Sequence, residues 1–178
     1  RLSRQYHWQR RPEWACFEDY LNSMKSRHRK AVRRERRLIK EQGLEIRPVR
    51  GEELTREHWR KLRDFYLYTV HAKGGYPYLS AAFFEQGNAQ AKHALAFFAY
   101  LNDEPIAGAL CFHAGANLYG RYWGTQLYSP SLHFELCYYA PIEWALNNGI
   151  ARYEAGAQGE HKIKRGFEPV ACHSAHYI

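Results

Sequence analysis

No segment of this sequence stays apolar for the roughly 20 residues that a bilayer-spanning helix requires, so no membrane span is expected. The opening Arg-Leu-Ser-Arg-Gln-Tyr-His-Trp also lacks the apolar core of a secretory signal. Cysteine is sparse: Cys16, Cys111, Cys137 and Cys172 lie far apart and form no C-x-x-C pair. That spacing excludes a zinc knuckle and argues against a secreted disulfide framework, so reduced thiols and a cytoplasmic setting are expected. Lys73-Gly-Gly75 lacks the G-x-x-x-x-G-K-[ST] frame of a phosphate loop. No G-x-S-x-G elbow is present, which removes serine-hydrolase chemistry of that type. His173-Ser-Ala-His176 has neither the helical i, i+4 spacing nor the glutamate of a zinc protease, and no metal site is expected.

What is present fits one well-buried domain. The 178 residues are 46% hydrophobic and 16% aromatic, with 14 Tyr and 5 Trp. Such a composition is too apolar for a disordered chain. The net charge of +8 is unevenly placed: residues 1–50 hold 15 Lys and Arg against 6 acids, whereas the remainder holds 11 against 12. The surplus centres on residues 25–37, including Arg33, Arg34, Arg36 and Arg37, a block suited either to phosphate binding or to a solvated helix face.

Residues 1–16 read as an irregular aromatic and basic arm, and the absence of an initiator Met suggests that it ends a longer upstream region. The remainder, 17–178, reads as a single domain. Phe17 to about Gln42 carries a helical stripe ended by Gly43. Leu44–Val49 alternates as a strand, with Pro48 placing it at an edge. Thr55 caps a second helix, and Ser80 a short third one. A meander of three strands follows: Ala94–Leu101, Pro105–His113 and Leu118–Gly124. A helix then spans about Leu132–Asn148, with Pro141 expected to kink or break it. Arg152–Ala157 reads as a strand, Gly159–Pro169 as a loop and Ala171–Ile178 as a final strand. This order gives an α+β fold, with helices covering a mixed, mainly antiparallel central sheet.

Chemistry concentrates in the last third. Tyr119-Gly-Arg-Tyr-Trp-Gly124 and Glu154-Ala-Gly-Ala-Gln-Gly-Glu-His-Lys-Ile-Lys-Arg-Gly-Phe167 combine aromatic rings, glycines, bases and acids. Glycines admit close approach of a ligand, and rings form a rigid wall. Arg121, Tyr122 and Trp123 form one candidate wall, and Lys162, Lys164 and Arg165 supply charge for an anion or an oxyanion. His161, Glu160, His133 and Glu135 are candidate bases. His133 and Glu135 stand two apart, so a helix points them in different directions. Glu154 needs a cationic partner such as Arg121 or Arg152 if it is buried.

Four motifs are similar to those of the FemAB-like, peptidoglycan-biosynthesis-related group within the GNAT acyltransferase fold: residues 119–124, Leu132–Tyr139, residues 154–162 and Arg165-Gly-Phe167. Arg33–Arg37, Gly75–Leu79 and Pro105–Leu110 agree with them. The resemblance implies a GNAT-like domain and N-acyl transfer, with aminoacyl-tRNA as donor in the well-understood branch. It also implies a functional lysine in the region of Lys162. The Q/R-x-x-G-x-G/A loop of acetyl-CoA-using members is missing, because Gly124-Thr-Gln-Leu-Tyr-Ser-Pro-Ser131 has no second glycine.

Two readings follow. One is an N-acyltransferase with Lys162, His161 and Glu135 as catalytic candidates, and with Arg121, Tyr122, Trp123, His133, Glu154, Lys164 and Arg165 contacting substrate. It holds no tightly bound cofactor, takes aminoacyl-tRNA or acyl-CoA as donor, and acts on a small-molecule or cell-wall-precursor amine. The other is a non-catalytic tRNA-binding module built on Arg33, Arg34, Arg36 and Arg37.

Overall fold

The computed structural model describes residues 2–157, 159–173 and 175. Its centre is a seven-stranded sheet in the order β2-β3-β4-β5-β6-β1-β7, formed by β1 (Leu2–Gln9), β2 (Glu45–Arg50), β3 (Ala94–Leu101), β4 (Glu104–Ala114), β5 (Asn117–Thr125), β6 (Arg152–Glu154) and β7 (Glu168–His173). All neighbours pair antiparallel except β5 and β6, which are parallel. This is the α+β, mainly antiparallel architecture expected of a GNAT-like domain.

The sheet is covered on both faces, which is why β3 reads as a continuous apolar run. Leu95, Phe97 and Ala99 enter one core, with α1 (Phe17–Asn22), α2 (Ser26–Glu41) and the helix that begins at Leu132. Ala94, Ala96, Phe98 and Tyr100 enter the other, with α3 (Arg56–Ala72) and α4 (Ala81–Glu85). The Thr55 cap is in place: its hydroxyl accepts the His58 N–H, and His58 Nδ1 in turn accepts the Thr55 N–H. Pro48 sits on edge strand β2, where a missing donor is tolerated.

Three expectations are corrected. The supposed arm is strand β1, inserted between β6 and β7, with Trp8 fully buried. The helix expected over residues 17–42 is two helices, because the Ser23 hydroxyl bonds the Tyr20 carbonyl and the chain turns before Ser26. The loop after Gly159 holds a 3₁₀ turn, Glu160–Arg165, and β7 starts at Glu168 rather than Ala171. The end of the expected final strand, residues 174 and 176–178, lies outside the described residues, as does the His176 of the dismissed metal pair.

Pro141 does not end its helix. The segment runs as α5 (Leu132–Phe134), a π turn at Glu135–Tyr139 and α6 (Ala140–Asn147), with Pro141 in the first turn of α6. Proline has no N–H for the carbonyl four residues back, which is that of Cys137. The Tyr153 hydroxyl donates to this oxygen instead, at 2.6 Å.

Candidate active site

The parallel pairing of β5 with β6 is short: Asn117 with Arg152, Leu118 with Tyr153 and Tyr119 with Glu154. Beyond it the strands part, and a cleft of about 750 Å³ opens between Gly120–Trp123 on one side and Ala155, Gly156, Ala157 and Gly159 on the other. Ala109, Leu110 and Cys111 of β4 also line it, with His133, Cys137 and Tyr138 of the following helix, Lys73 and Tyr78 of the loop after α3, and His161 and Lys162. Among these described residues none is a carboxylate. Lys73, Arg121 and Lys162, with two imidazoles, make the cleft suited to an anionic or oxyanionic ligand.

Local backbone irregularities aim these groups. Leu110 pairs with Tyr122 and Cys111 with Gly120, so Arg121 is the extra residue of a β-bulge. A bulge re-aims a side chain, which explains how the adjacent Arg121, Tyr122 and Trp123 all reach one cleft. The Arg121 guanidinium lies over the Tyr119 ring, 5.2 Å from its centroid. Gly120 is required because a Cβ there would meet the Tyr153 hydroxyl at 2.8 Å. Gly124 leaves no space for a ligand, because α3 packs against it: a Cβ there would lie 1.9 Å from the Phe65 carbonyl oxygen.

Lys162 points inward. It is 4% exposed, and its Nζ donates to the carbonyls of Ala155 at 2.6 Å and Gly156 at 3.1 Å. Burial lowers its pKa to about 8, against a smaller opposing effect from Cys137. The group is therefore still an ammonium at neutral pH. Of its three N–H groups two are engaged by these carbonyls, and one is left for a ligand.

The two histidines share the cleft with it. His161 Nε2 meets the Tyr138 hydroxyl at 2.9 Å, and burial, then Arg165 and Lys162, lower the His161 pKa. His133 packs on Trp123, with 4.7 Å between ring centroids, and stands 6.2 Å from the His161 ring. Burial, reinforced by His161, Lys73, Lys162 and Arg165, lowers its pKa to about 4. Both imidazoles are neutral at pH 7. The Cys111 thiol is pushed up to about 12 by burial, and that of Cys137 rises for the same reason. They are walls rather than nucleophiles.

Several other candidates lie elsewhere. Glu135 is buried against α2, where Arg36 bonds it at 3.2 Å and also bonds Glu143 at 2.6 Å. Burial raises its pKa, opposed by Arg36. His133 and Glu135 thus face different sides of one helix, and only His133 lines the cleft. Glu154 is held by Arg152 at 3.1 Å, beside His7 at 3.9 Å. Lys164 is exposed. Arg165 is buried, but it serves the framework: it pairs with Glu35 of α2 at 2.9 Å, donates to the Tyr139 hydroxyl at 2.5 Å and lies over the Phe134 ring at 3.7 Å. The basic block on α2 is largely engaged, with Arg33 on Glu18, Arg36 on Glu135 and Glu143, and Arg37 on Glu41, while Arg34 is exposed.

Lys73, Tyr78 and Tyr138 were missed as site residues. Signals for them existed, since Tyr78 and Tyr138 fall inside motifs 75–79 and 132–139, and Lys73 precedes two glycines. Among the described residues no group of three or more His, Cys, Asp or Glu could hold a metal ion. No described helix is long and apolar enough to cross a membrane.

Residues 1–178 match the FemAB-like family, described as peptidoglycan biosynthesis/recognition. The chain belongs to this family. No curated protein matches it. Among solved structures it is similar to FemX, with a TM-score of 0.67 at 13% identity over 93% of this chain. It is also similar to L-PGS from Bacillus licheniformis, with a TM-score of 0.64 at 12% identity over 96% of this chain. The FemAB-like chain spans 59% of the length of each. At these identities the likeness is one of fold.

Proposed function

We propose that the cleft between β5 and β6 is the acyl-transfer site of an N-acyltransferase acting in cell-wall precursor metabolism. The observation that carries this reading is the inward-facing Lys162 ammonium, held by two carbonyls in a cleft whose described lining contains no carboxylate. Family membership supports the same direction.

The acceptor amine attacks the carbonyl carbon of the donor ester or thioester, forming a C–N bond and a tetrahedral oxyanion. The free N–H of Lys162 meets that oxyanion, whose charge grows in the transition state. His161, neutral at pH 7 and joined through Nε2 to Tyr138, takes the proton lost by the attacking nitrogen. The C–O or C–S bond then breaks, and the same proton passes to the leaving group. Arg121 and Lys73 bind the anionic portions of the substrates, and Tyr122 and Trp123 form the opposite wall. The donor is an aminoacyl-tRNA or an acyl-CoA, and the acceptor is a cell-wall-precursor amine.

A thermal-shift panel of CoA thioesters, charged tRNA and nucleotide-linked cell-wall precursors tests this reading, because a ligand of the native state raises its midpoint. We expect one donor and one precursor to stabilise the protein, and the pair together to yield the N-acylated product. A panel without any shift, joined to the absence of product from every pairing, would overturn the proposal.

A further inference from the structure

The N-terminal strand borders the candidate site at Tyr6, which touches residues of the cleft wall without lining the cleft itself. Tyr6 is buried on β1, and its main chain continues past the β1–β6 ladder to pair with the glycine-rich turn. Its N–H donates to the Gly156 carbonyl at 3.1 Å, and its carbonyl accepts the Ala155 N–H at 3.1 Å. Ala155 and Gly156 are the two residues whose carbonyl oxygens accept Lys162 Nζ. The same ammonium nitrogen lies 5.4 Å from the centroid of the Tyr6 ring. Backbone and ring of one residue therefore converge on one amine.

We infer that Tyr6 is a positioning residue for Lys162. Its main chain holds the turn whose two carbonyls orient the ammonium, and its ring face stabilises the charge. The inference rests on the reading of the cleft as an acyl-transfer site, but it concerns the amine itself. The other groups facing Lys162 are the Cys137 thiol from the π turn, the His133 imidazole from α5 and the neighbouring His161. None of them presents a negative charge at neutral pH, so the ring of Tyr6 joins the two carbonyls as a source of attraction for the cation.

The test is a ¹³C NMR titration of the lysine ε-methylenes, with the Lys162 signal assigned by its loss in Lys162→Arg. Tyr6→Phe keeps the ring and leaves the midpoint where it is in the parent. Tyr6→Leu removes the ring, so the ammonium loses its attraction and the midpoint falls by roughly half to one unit. Since Leu at a buried aromatic position risks misfolding, a fluorinated phenylalanine at position 6 supplies the isosteric control. It retains the volume and weakens the quadrupole, and the midpoint falls with increasing fluorination. An identical midpoint in the Phe, fluorinated and Leu proteins would overturn the inference. Because the titration needs no substrate, a shifted midpoint in a protein that transfers no acyl group would remove the transferase reading and leave the role of Tyr6 standing.

Discussion

Arg165 reaches Glu35 across 130 positions of sequence, with Nη2 at 2.9 Å from the carboxylate, and both side chains are largely buried. The Tyr139 hydroxyl closes the group by donating to Glu35 while accepting from Arg165 Nε. This contact fastens the 3₁₀ turn that carries His161 and Lys162 to α2. Removing one partner of a buried pair leaves an uncompensated charge. Glu35→Ala is expected to cost about 3 kcal/mol in urea unfolding. A loss below about 1 kcal/mol would show that Arg165 finds another partner or water.

His133 sets an acid limit. Its folded pKa of about 4 lies below the unfolded value of 6.5, so the unfolded state takes up the proton first as pH falls. The stabilising contribution is complete above pH 6.5 and is lost progressively between 6.5 and 4, by about 3 kcal/mol. In His133→Phe that part of the slope should vanish, while the slopes due to His161 and His7, lowered in the same sense, persist. Chemical denaturation of both proteins at several pH values measures the difference. Parallel curves would contradict the assignment.

Gly124 is where α3 meets the sheet. A Cβ at that position collides with backbone, 1.9 Å from the Phe65 oxygen and 2.4 Å from its carbon, and with Thr69 Oγ1 at 2.7 Å. The helix, and with it Lys73 at the cleft, must move to accept a methyl group. Gly124→Ala is expected to destabilise the fold by about 3 kcal/mol. Gly115, where an added Cβ would have nothing within 4 Å but φ is +55°, is the control, and its Ala variant should cost about 1 kcal/mol through backbone strain alone. Equal losses in thermal unfolding would show that packing at Gly124 is not the limiting factor.

Local signals explain which parts of the fold were legible. The Thr55 box, the Asn102-Asp103 and Gly115 turns, and the apolar run of β3 each announce themselves within a few residues. Strand β1 does not. Tyr6, His7 and Trp8 are buried in succession, so no alternation marks them, and their pairing partners lie near residues 154 and 169. The stripe spanning residues 17–42 stays in phase across the Ser23–Lys25 turn, which hid the break. In the candidate site, the glycine-rich motifs located the cleft walls and Lys162. Sequence spacing alone did not reveal that Arg165 and Glu135 turn inward to α2 rather than to the cleft. Their partners, Glu35 and Arg36, are adjacent on that helix and remote in sequence.

The most direct measurement compares turnover and thermal midpoint for Lys162→Met, which keeps the apolar stem and removes the ammonium. With the donor and acceptor found by the binding panel, turnover should fall by roughly 10²–10³, the usual consequence of losing one oxyanion donor, while the midpoint stays within a few degrees. Undiminished turnover, or a loss that only tracks the unfolded fraction, would contradict the account.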